Sequence, residues 1–295
     1  MDRADFGWLE QALDQPVIEV ASAEQEFGKH LDVVTLGDGS RVAPRQFRRR
    51  EDAEWCLRIL EALRDPAADR GIALAGIRLY ELEEDPPWVV FEVLPGAAGE
   101  ESVLRGPNFP RLARAMGETL VEFSELPCAD VELDDMWARP RYLAARADAW
   151  AECLAPALSA EQVATLERVL AELPALFEGR PAVLAHGDYA PVNILVHGDT
   201  VTGLLDVEFV RVADPLYDAA WWAWSVGLCG ADVLAAGLPE FLAGMGLDPA
   251  EPVLAQRIRS LQLVRTLEIL ADADLPPGRW RAVHERLIGL LGQED

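Results

Sequence analysis

His186-Gly187-Asp188-Tyr189-Ala190-Pro191-Val192-Asn193-Ile194-Leu195 is followed a short way downstream by Leu204-Leu205-Asp206-Val207-Glu208. Ile194-Leu195-Val196 and Val201 to Leu205 are apolar runs joined by His197-Gly198-Asp199-Thr200, and Gly198-Asp199 is a turn signal. Folding the runs about that turn brings Asn193 within a residue or two of facing Asp206. An amide oxygen and a carboxylate then share the open end of a hairpin. Both are hard oxygen donors suited to Mg²⁺, which keeps several waters and shares phosphate oxygens. Asp188 lies on the loop entering the first strand, where its carboxylate can face an acceptor hydroxyl. In phosphoryl transfer the protein mainly positions groups and neutralises charge. The stretch therefore reads as phosphoryl-transfer chemistry.

The residues on either side divide into two regions. Val17 to Ala21 and Leu31 to Leu36 read as strands, Gly37-Asp38-Gly39-Ser40 as a hairpin turn, and Arg41 to Phe47 as the returning strand. In Glu51 to Leu63 the apolar residues Trp55, Cys56, Ile59, Leu60 and Leu63 fall at helical spacing. Ile72 to Leu82 and Val89 to Leu94 read as two more strands, and Pro95-Gly96 ends the second. Gly96 to Ser102 reads as a small-residue linker, so the domain boundary is placed there, giving 1–96 and 97–295.

The rest is mostly helical. Phe109 to Leu126 and Arg141 to Leu154 carry helical periodicity, and Ser159-Ala160-Glu161-Gln162 is a capping box opening a helix to about Phe177. Val183 to Ala185 is a short strand, and helices are expected near 216–228, 231–245, 252–272 and 277–291. The fold class is α+β: a small antiparallel sheet with one main helix, then a larger helical region.

Composition bounds the function. The 295 residues are 51% hydrophobic, enough to bury a sizeable core. The net charge of −25, with Lys29 the only lysine, argues against nucleic acid as partner. The same excess of acid would attract a cationic substrate. Acid-rich Glu81 to Asp85 and Glu132 to Asp135 read as solvated loops. The longest apolar run, Ala219 to Cys229, is about half of what a bilayer crossing needs. Cys56, Cys128, Cys153 and Cys229 are scattered without a CxxC pair, which suits reduced thiols and a cytoplasmic location.

The motif resembles the aminoglycoside phosphotransferase and choline-kinase-like group of small-molecule kinases, relatives of the protein kinases. That group carries HGDxxxxN, then a strand ending in aspartate with glutamate two residues on. Here these are His186-Gly187-Asp188 with Asn193, and Asp206-Val207-Glu208. Protein kinases usually have arginine where Gly187 stands. Asp214-Pro215 with Asp218 is similar to the group's DPxxD element. The resemblance implies a bilobal protein-kinase-like fold. It also implies Asp188 as base, Asn193 and Asp206 as Mg²⁺ ligands, and ATP or GTP as donor. Leu195 and Leu205 would floor the nucleotide base, Phe91 would gate it, and the backbone of Glu92 and Leu94 would bond its edge. His186 is expected to hold the loop rather than move protons. Asp214 and Asp218 are expected as caps and loop braces.

Two departures stand out. The group usually has a basic residue, lysine or sometimes arginine, on its third strand, paired to a helix glutamate; here Arg45 is the candidate, with Glu54 as its partner, and Arg48, Arg49 or Lys29 could serve instead. Pro44 beside Arg45 cannot donate to a sheet ladder. The expected phosphate loop, Ala21 to Lys29, holds only Gly28. On the acceptor side stand Asp188, Glu208, Trp221 and Trp222. Helical spacing puts Trp221 and Trp224 on one face and Trp222 elsewhere, with core packing the simpler role for these rings. The expected activity is γ-phosphoryl transfer to a small-molecule hydroxyl, an antibiotic being the first class to test. A choline-, homoserine- or sugar-like alcohol remains open as acceptor, as does a nucleotide-binding scaffold without turnover.

Overall fold

The computed structural model describes residues 6–24, 30–128 and 131–292. In chain order the elements are α1 (Gly7–Leu13), β1 (Val17–Glu24), β2 (His30–Leu36), β3 (Arg41–Gln46), α2 (Arg50–Asp69), β4 (Ile77–Glu81), β5 (Trp88–Glu92) and β6 (Ala97–Ala98). Then come α3 (Glu101–Leu104), α4 (Phe109–Ser124), α5 (Pro140–Leu154), α6 (Ala160–Phe177), β7 (Val183–Ala185), β8 (Ile194–His197), β9 (Thr200–Leu204) and β10 (Arg211–Ala213). Helices α7 (Tyr217–Val226), α8 (Ala231–Gly244), α9 (Pro252–Leu270) and α10 (Pro277–Leu291) complete the chain. The class is α+β, as the sequence indicates.

The chain forms two compact units. One takes Met1–Glu100, Leu126–Val131 and Val192–Glu208; the other takes Glu101–Glu125, Glu132–Pro191 and Phe209–Asp295. The motif hairpin thus belongs with the N-terminal sheet, although its sequence lies far downstream.

The first unit holds an antiparallel sheet in the order β1-β2-β3-β5-β4. Val17, Val34, Leu36, Val42, Trp88 and Val90 build a core with Phe6 and Leu9 of the N-terminal turn and helix. That helix, α1, is an element the sequence reading did not anticipate; Trp8 packs on Trp88 with ring centroids 4.8 Å apart. Pro44 is accommodated because the β2–β3 register runs only through Val34↔Val42 and Thr35↔Arg41, whereas β3 pairs with β5 along its length. No ladder donor is demanded of Pro44 on the β2 side. Helix α2 runs on past Pro66 to Asp69, with Ala67 fully buried.

The expected strand from Ile72 to Leu82 is shorter, Ile77–Glu81. Ile72 and Leu74 are buried ahead of it, and Leu74 bridges in parallel to Leu204. The Leu204 amide donates to Ala73 O at 3.0 Å. This connection ties the second sheet, β6-β8-β9, to the first unit. Ala97 and Ala98 pair with Val196 and Leu195, so the expected linker begins as a strand.

The second unit is helical around the short β10–β7 ladder, in which Arg211 faces Ala185. Its interior is aromatic. Trp222 stacks on Phe241 at 4.0 Å, and Trp137 meets Tyr217 edge-on at 4.6 Å. The capping box forms as read: the Gln162 amide donates to Ser159 Oγ at 3.2 Å, and the Ser159 amide to Gln162 Oε1 at 2.8 Å. Among the described residues no helix is long and apolar enough to cross a membrane.

Candidate active site

In the first unit the hairpin registers Ile194↔Leu204, Leu195↔Gly203 and His197↔Thr200. The Leu205 amide donates to Asn193 O at 2.9 Å, which sets Asn193 beside the residue before Asp206. Asp206 has φ +56°. Aspartate tolerates this left-handed conformation better than most residues, but it still costs energy, and such strain concentrates at functional sites.

Arg45 reaches this same end. Its Nη1 lies 2.5 Å from Glu208 Oε1 and 3.5 Å from Asp206 Oδ1, while its guanidinium sits 4.7 Å over the Phe47 ring. Burial opposes the charge on Arg45, but Glu208 and Asp206 outweigh it and hold the pKa above its ordinary value. Burial and the nearby Asp206 charge push the Glu208 carboxyl up, against the pull of Arg45. Cys56 lies close by, and burial with the Glu208 charge raises its thiol to about 12, so it is inert as a nucleophile. The Glu208 carbonyl accepts from Trp55 Nε1 on α2 at 2.7 Å, a tie that no sequence signal announced.

Two expectations are corrected here. Glu54 does not partner Arg45: it accepts from Arg50 at 2.7 Å, four residues earlier on the same helix, and Arg50 also reaches Glu83 at 2.5 Å. A same-face neighbour one turn away is simply nearer than a strand residue. Glu208 was expected toward the acceptor, yet its carboxyl is buried against Arg45. Of the alternative bases, Arg49 is engaged by Asp52 at 2.7 Å. Residues 25–29 of the expected phosphate loop, Lys29 included, lie outside the described residues.

Along the ribbon, Leu195 is buried and pairs with Ala98. Leu94 packs against the bare face of Gly203, where an added Cβ would lie 2.9 Å from Leu94 Cδ1. Thr202 Oγ1 donates to Pro95 O at 2.8 Å. The unit therefore gathers Arg45, Asn193, Asp206 and Glu208 at the hairpin's open end, with Leu94 and Leu195 along the strands and Leu205 next to Asp206. Phe91 and Glu92 close β5, opposite Ala43 and Val42. The Glu92 amide donates to Gly76 O at 2.8 Å, so that N–H is not open to a base edge.

In the second unit the motif loop is braced from below. Both oxygens of buried Asp218 accept backbone N–H groups, from His186 at 2.6 Å and Gly187 at 3.0 Å. Burial raises the Asp218 pKa to about 6, against the pull of those two bonds. The Asp188 amide donates to His186 Nδ1 at 3.3 Å. The ring of His186 is fully buried, 5.4 Å from Phe123 and 5.6 Å from Tyr189. It holds the loop, as expected. Gly187 adopts φ +87°, and a Cβ there would fall 1.9 Å from Phe209 O. That is a physical reason why this position cannot carry arginine. Asp214 accepts the Leu216 amide at 2.8 Å and pairs with Arg180 at 2.5 Å, again bracing.

Trp221 Nε1 donates to Asp188 Oδ1 at 2.7 Å. Trp221 stacks on Trp224 at 4.7 Å, as the helical spacing indicates, and the Arg265 guanidinium lies 5.4 Å over its ring. Arg265 is anchored by Glu268, which also faces Arg211 at 3.5 Å. Trp221 is thus a donor that fixes the Asp188 carboxylate, a role the spacing alone does not disclose. Trp222, placed on the acceptor side as one of two readings, takes the simpler one and packs in the core. It is fully buried, stacks on Phe241, and donates to Met116 Sδ at 3.3 Å.

Among the described residues no group of three His, Cys, Asp or Glu side chains could hold a metal. A Mg²⁺ bound with a nucleotide needs only one or two protein oxygens. Asp206 and Asn193, adjacent at one hairpin end, fit that demand.

The family model of the phosphotransferase enzyme family matches residues 32–254, and the chain belongs to that family. No curated protein sequence matches it. Among solved structures, the chain is similar to the GDP complex of aminoglycoside 2'-phosphotransferase-IIIa, with TM-score 0.76 and 15% identity over 99% of each chain. Macrolide 2'-phosphotransferase MphH from Brachybacterium faecium gives TM-score 0.69 and 18% identity over 100% of this chain and 99% of that one. A thermostable mutant of aminoglycoside phosphotransferase APH(4)-Ia, in ternary complex with AMP-PNP and hygromycin B, gives TM-score 0.66 and 15% identity over 96% of each. At these identities the likeness is one of fold.

Proposed function

We propose that the protein transfers the γ-phosphoryl group of ATP or GTP to a hydroxyl of a small molecule. The observation that carries this reading is Asp188, fixed through one oxygen by Trp221 on a loop braced by Asp218. A carboxylate so held accepts the proton of an acceptor hydroxyl while the hydroxyl oxygen attacks the γ-phosphorus and the bond to the β-phosphate oxygen breaks. Asp206 and Asn193 would hold Mg²⁺, which would supply charge neutralisation on the phosphates. Arg45 adds a second cation for them, and arginine binds phosphate through two N–H groups at once. Leu94, Leu195 and Leu205 offer apolar contact to the base, with Phe91 behind them and the carbonyl of Glu92 at its edge.

The acceptor class to test first is a hydroxyl-bearing antibiotic. The net charge of −25 favours a cationic one such as an aminoglycoside. The four cysteines form no disulfide among the described residues, which suits a cytoplasmic enzyme. The test is nucleoside diphosphate release across a panel of aminoglycosides, macrolides and metabolic alcohols. Acceptor-dependent release that Asp188→Asn removes supports the reading. Nucleotide binding without release from any hydroxyl compound would leave a scaffold instead.

A further inference from the structure

The structure assigns to Glu208 the task of holding Arg45 in place for the nucleotide phosphates, the task a helix glutamate was expected to perform. The assignment rests on the nucleotide reading above and names a positioning residue for it. Four observations in the first unit carry it. Glu208 Oε1 is 2.5 Å from Arg45 Nη1, the shorter of that atom's two carboxylate contacts. Its side chain is about 10% exposed and that of Arg45 37%, so the carboxylate is the more covered partner of the pair. Its own backbone is tied to α2 through Trp55 Nε1 at 2.7 Å, which fixes where the carboxyl can point. Glu54, the helix acid at the expected place, is spent on Arg50.

The arrangement has a chemical consequence. Arg45 lies between Glu208 and Asp206, the proposed Mg²⁺ ligand. With Glu208 present, the guanidinium has a partner other than Asp206. With that charge removed, Asp206 is its only carboxylate neighbour of the two, and Arg45 competes with Mg²⁺ for the same oxygen. Glu208 therefore draws the guanidinium toward itself, away from Asp206, as well as placing it.

The test is calorimetric titration of ADP and of GDP at several Mg²⁺ concentrations. Wild type, Glu208→Gln, Glu208→Asp, Glu54→Gln, Arg45→Gln and the Arg45→Gln/Glu208→Gln double variant are compared. The expected result for Glu208→Gln is about a tenfold loss of Mg-nucleotide affinity, with the half-saturating Mg²⁺ concentration moved several-fold upward. Glu208→Asp should recover part of the loss. Glu54→Gln should lie within about twofold of wild type. In the double variant the Glu208 change should add nothing, since residues acting as one unit are not additive. A purely structural role for Glu208 would leave the Mg²⁺ requirement unmoved and the two losses additive, and either result overturns the assignment. So does a loss in Glu54→Gln equal to that in Glu208→Gln. Failure of the wild type to bind either nucleotide overturns the nucleotide reading itself.

Discussion

Trp221→Phe removes one N–H and keeps most of the ring. In the wild type that N–H donates to Asp188 Oδ1 at 2.7 Å, while the ring stacks on Trp224 at 4.7 Å and lies under Arg265. Phenylalanine preserves the stacking and the apolar burial but deletes the donor. A hydrogen bond to a charged group contributes about 1.5–3 kcal/mol. Each ~1.4 kcal/mol lost from the transition state lowers the rate about tenfold. The Asp188 amide remains tied to His186, so part of the loop's order survives. The expected fall in kcat is therefore at the lower end, about tenfold, with the nucleotide KM within about twofold. Steady-state release of nucleoside diphosphate, normalised to folded protein by circular dichroism, measures both. Trp222→Phe is the control on the neighbouring residue. Trp222 is fully buried and donates to Met116 Sδ. Its loss should cost stability of about 1–3 kcal/mol while leaving kcat per folded molecule unchanged. If Trp221→Phe keeps full kcat, or if both variants lose activity only in proportion to stability, Trp221 does not orient the base.

Gly187→Ala should be severely destabilising. The left-handed φ alone costs about 1–2 kcal/mol, and the added Cβ would lie 1.9 Å from a backbone oxygen that cannot rotate away. A urea unfolding midpoint within experimental scatter of wild type would show that the loop has another conformation. The raised Asp218 pKa has a sign that can be checked. The folded state keeps the proton to about pH 6 whereas the unfolded chain releases it near 3.8. The group's contribution is thus greatest below pH 3.8 and declines as pH climbs to about 6, by up to ~3 kcal/mol over those two units. Asp218→Asn should flatten that decline in a series of unfolding curves, and an unchanged slope would assign it to other groups. Arg180→Leu leaves buried Asp214 without its ion-pair partner. It should cost about 2–4 kcal/mol, read as a fall in denaturation midpoint. A midpoint equal to wild type would show that the Leu216 amide alone satisfies Asp214. Removal of Mg²⁺ with EDTA should abolish turnover and be reversed by added Mg²⁺. Asp206→Asn should raise the Mg²⁺ concentration needed for half-maximal rate, and no such change would place the metal elsewhere.

Local signals were legible in the sequence and long-range ones were not. The hairpin of Ile194 to Leu204 announced itself by apolar runs about Gly198-Asp199, and the capping box by Ser159 and Gln162, because turns and caps depend on residues a few positions apart. The pairing of Arg45 with Glu208 joins positions 163 residues apart (208 − 45), and no periodicity encodes it. Helical spacing instead offered Glu54, which the nearer Arg50 had already taken. The three tryptophans of α7 illustrate both cases. Spacing separated Trp222 from Trp221 and Trp224, yet only the fold reveals that Trp221 meets Asp188 and that Trp222 meets Phe241. Helix α1 escaped notice because its seven residues are too few for a clear period.

The most direct measurement of the central claim is the intact mass of hydroxyl compounds incubated with the protein, Mg²⁺ and ATP or GTP. One acceptor should gain about 80 Da, the mass of a single phosphoryl group, and the gain should vanish with Asp188→Asn. An unchanged gain in that variant, or no gain in any hydroxyl compound despite bound nucleotide, would contradict the account.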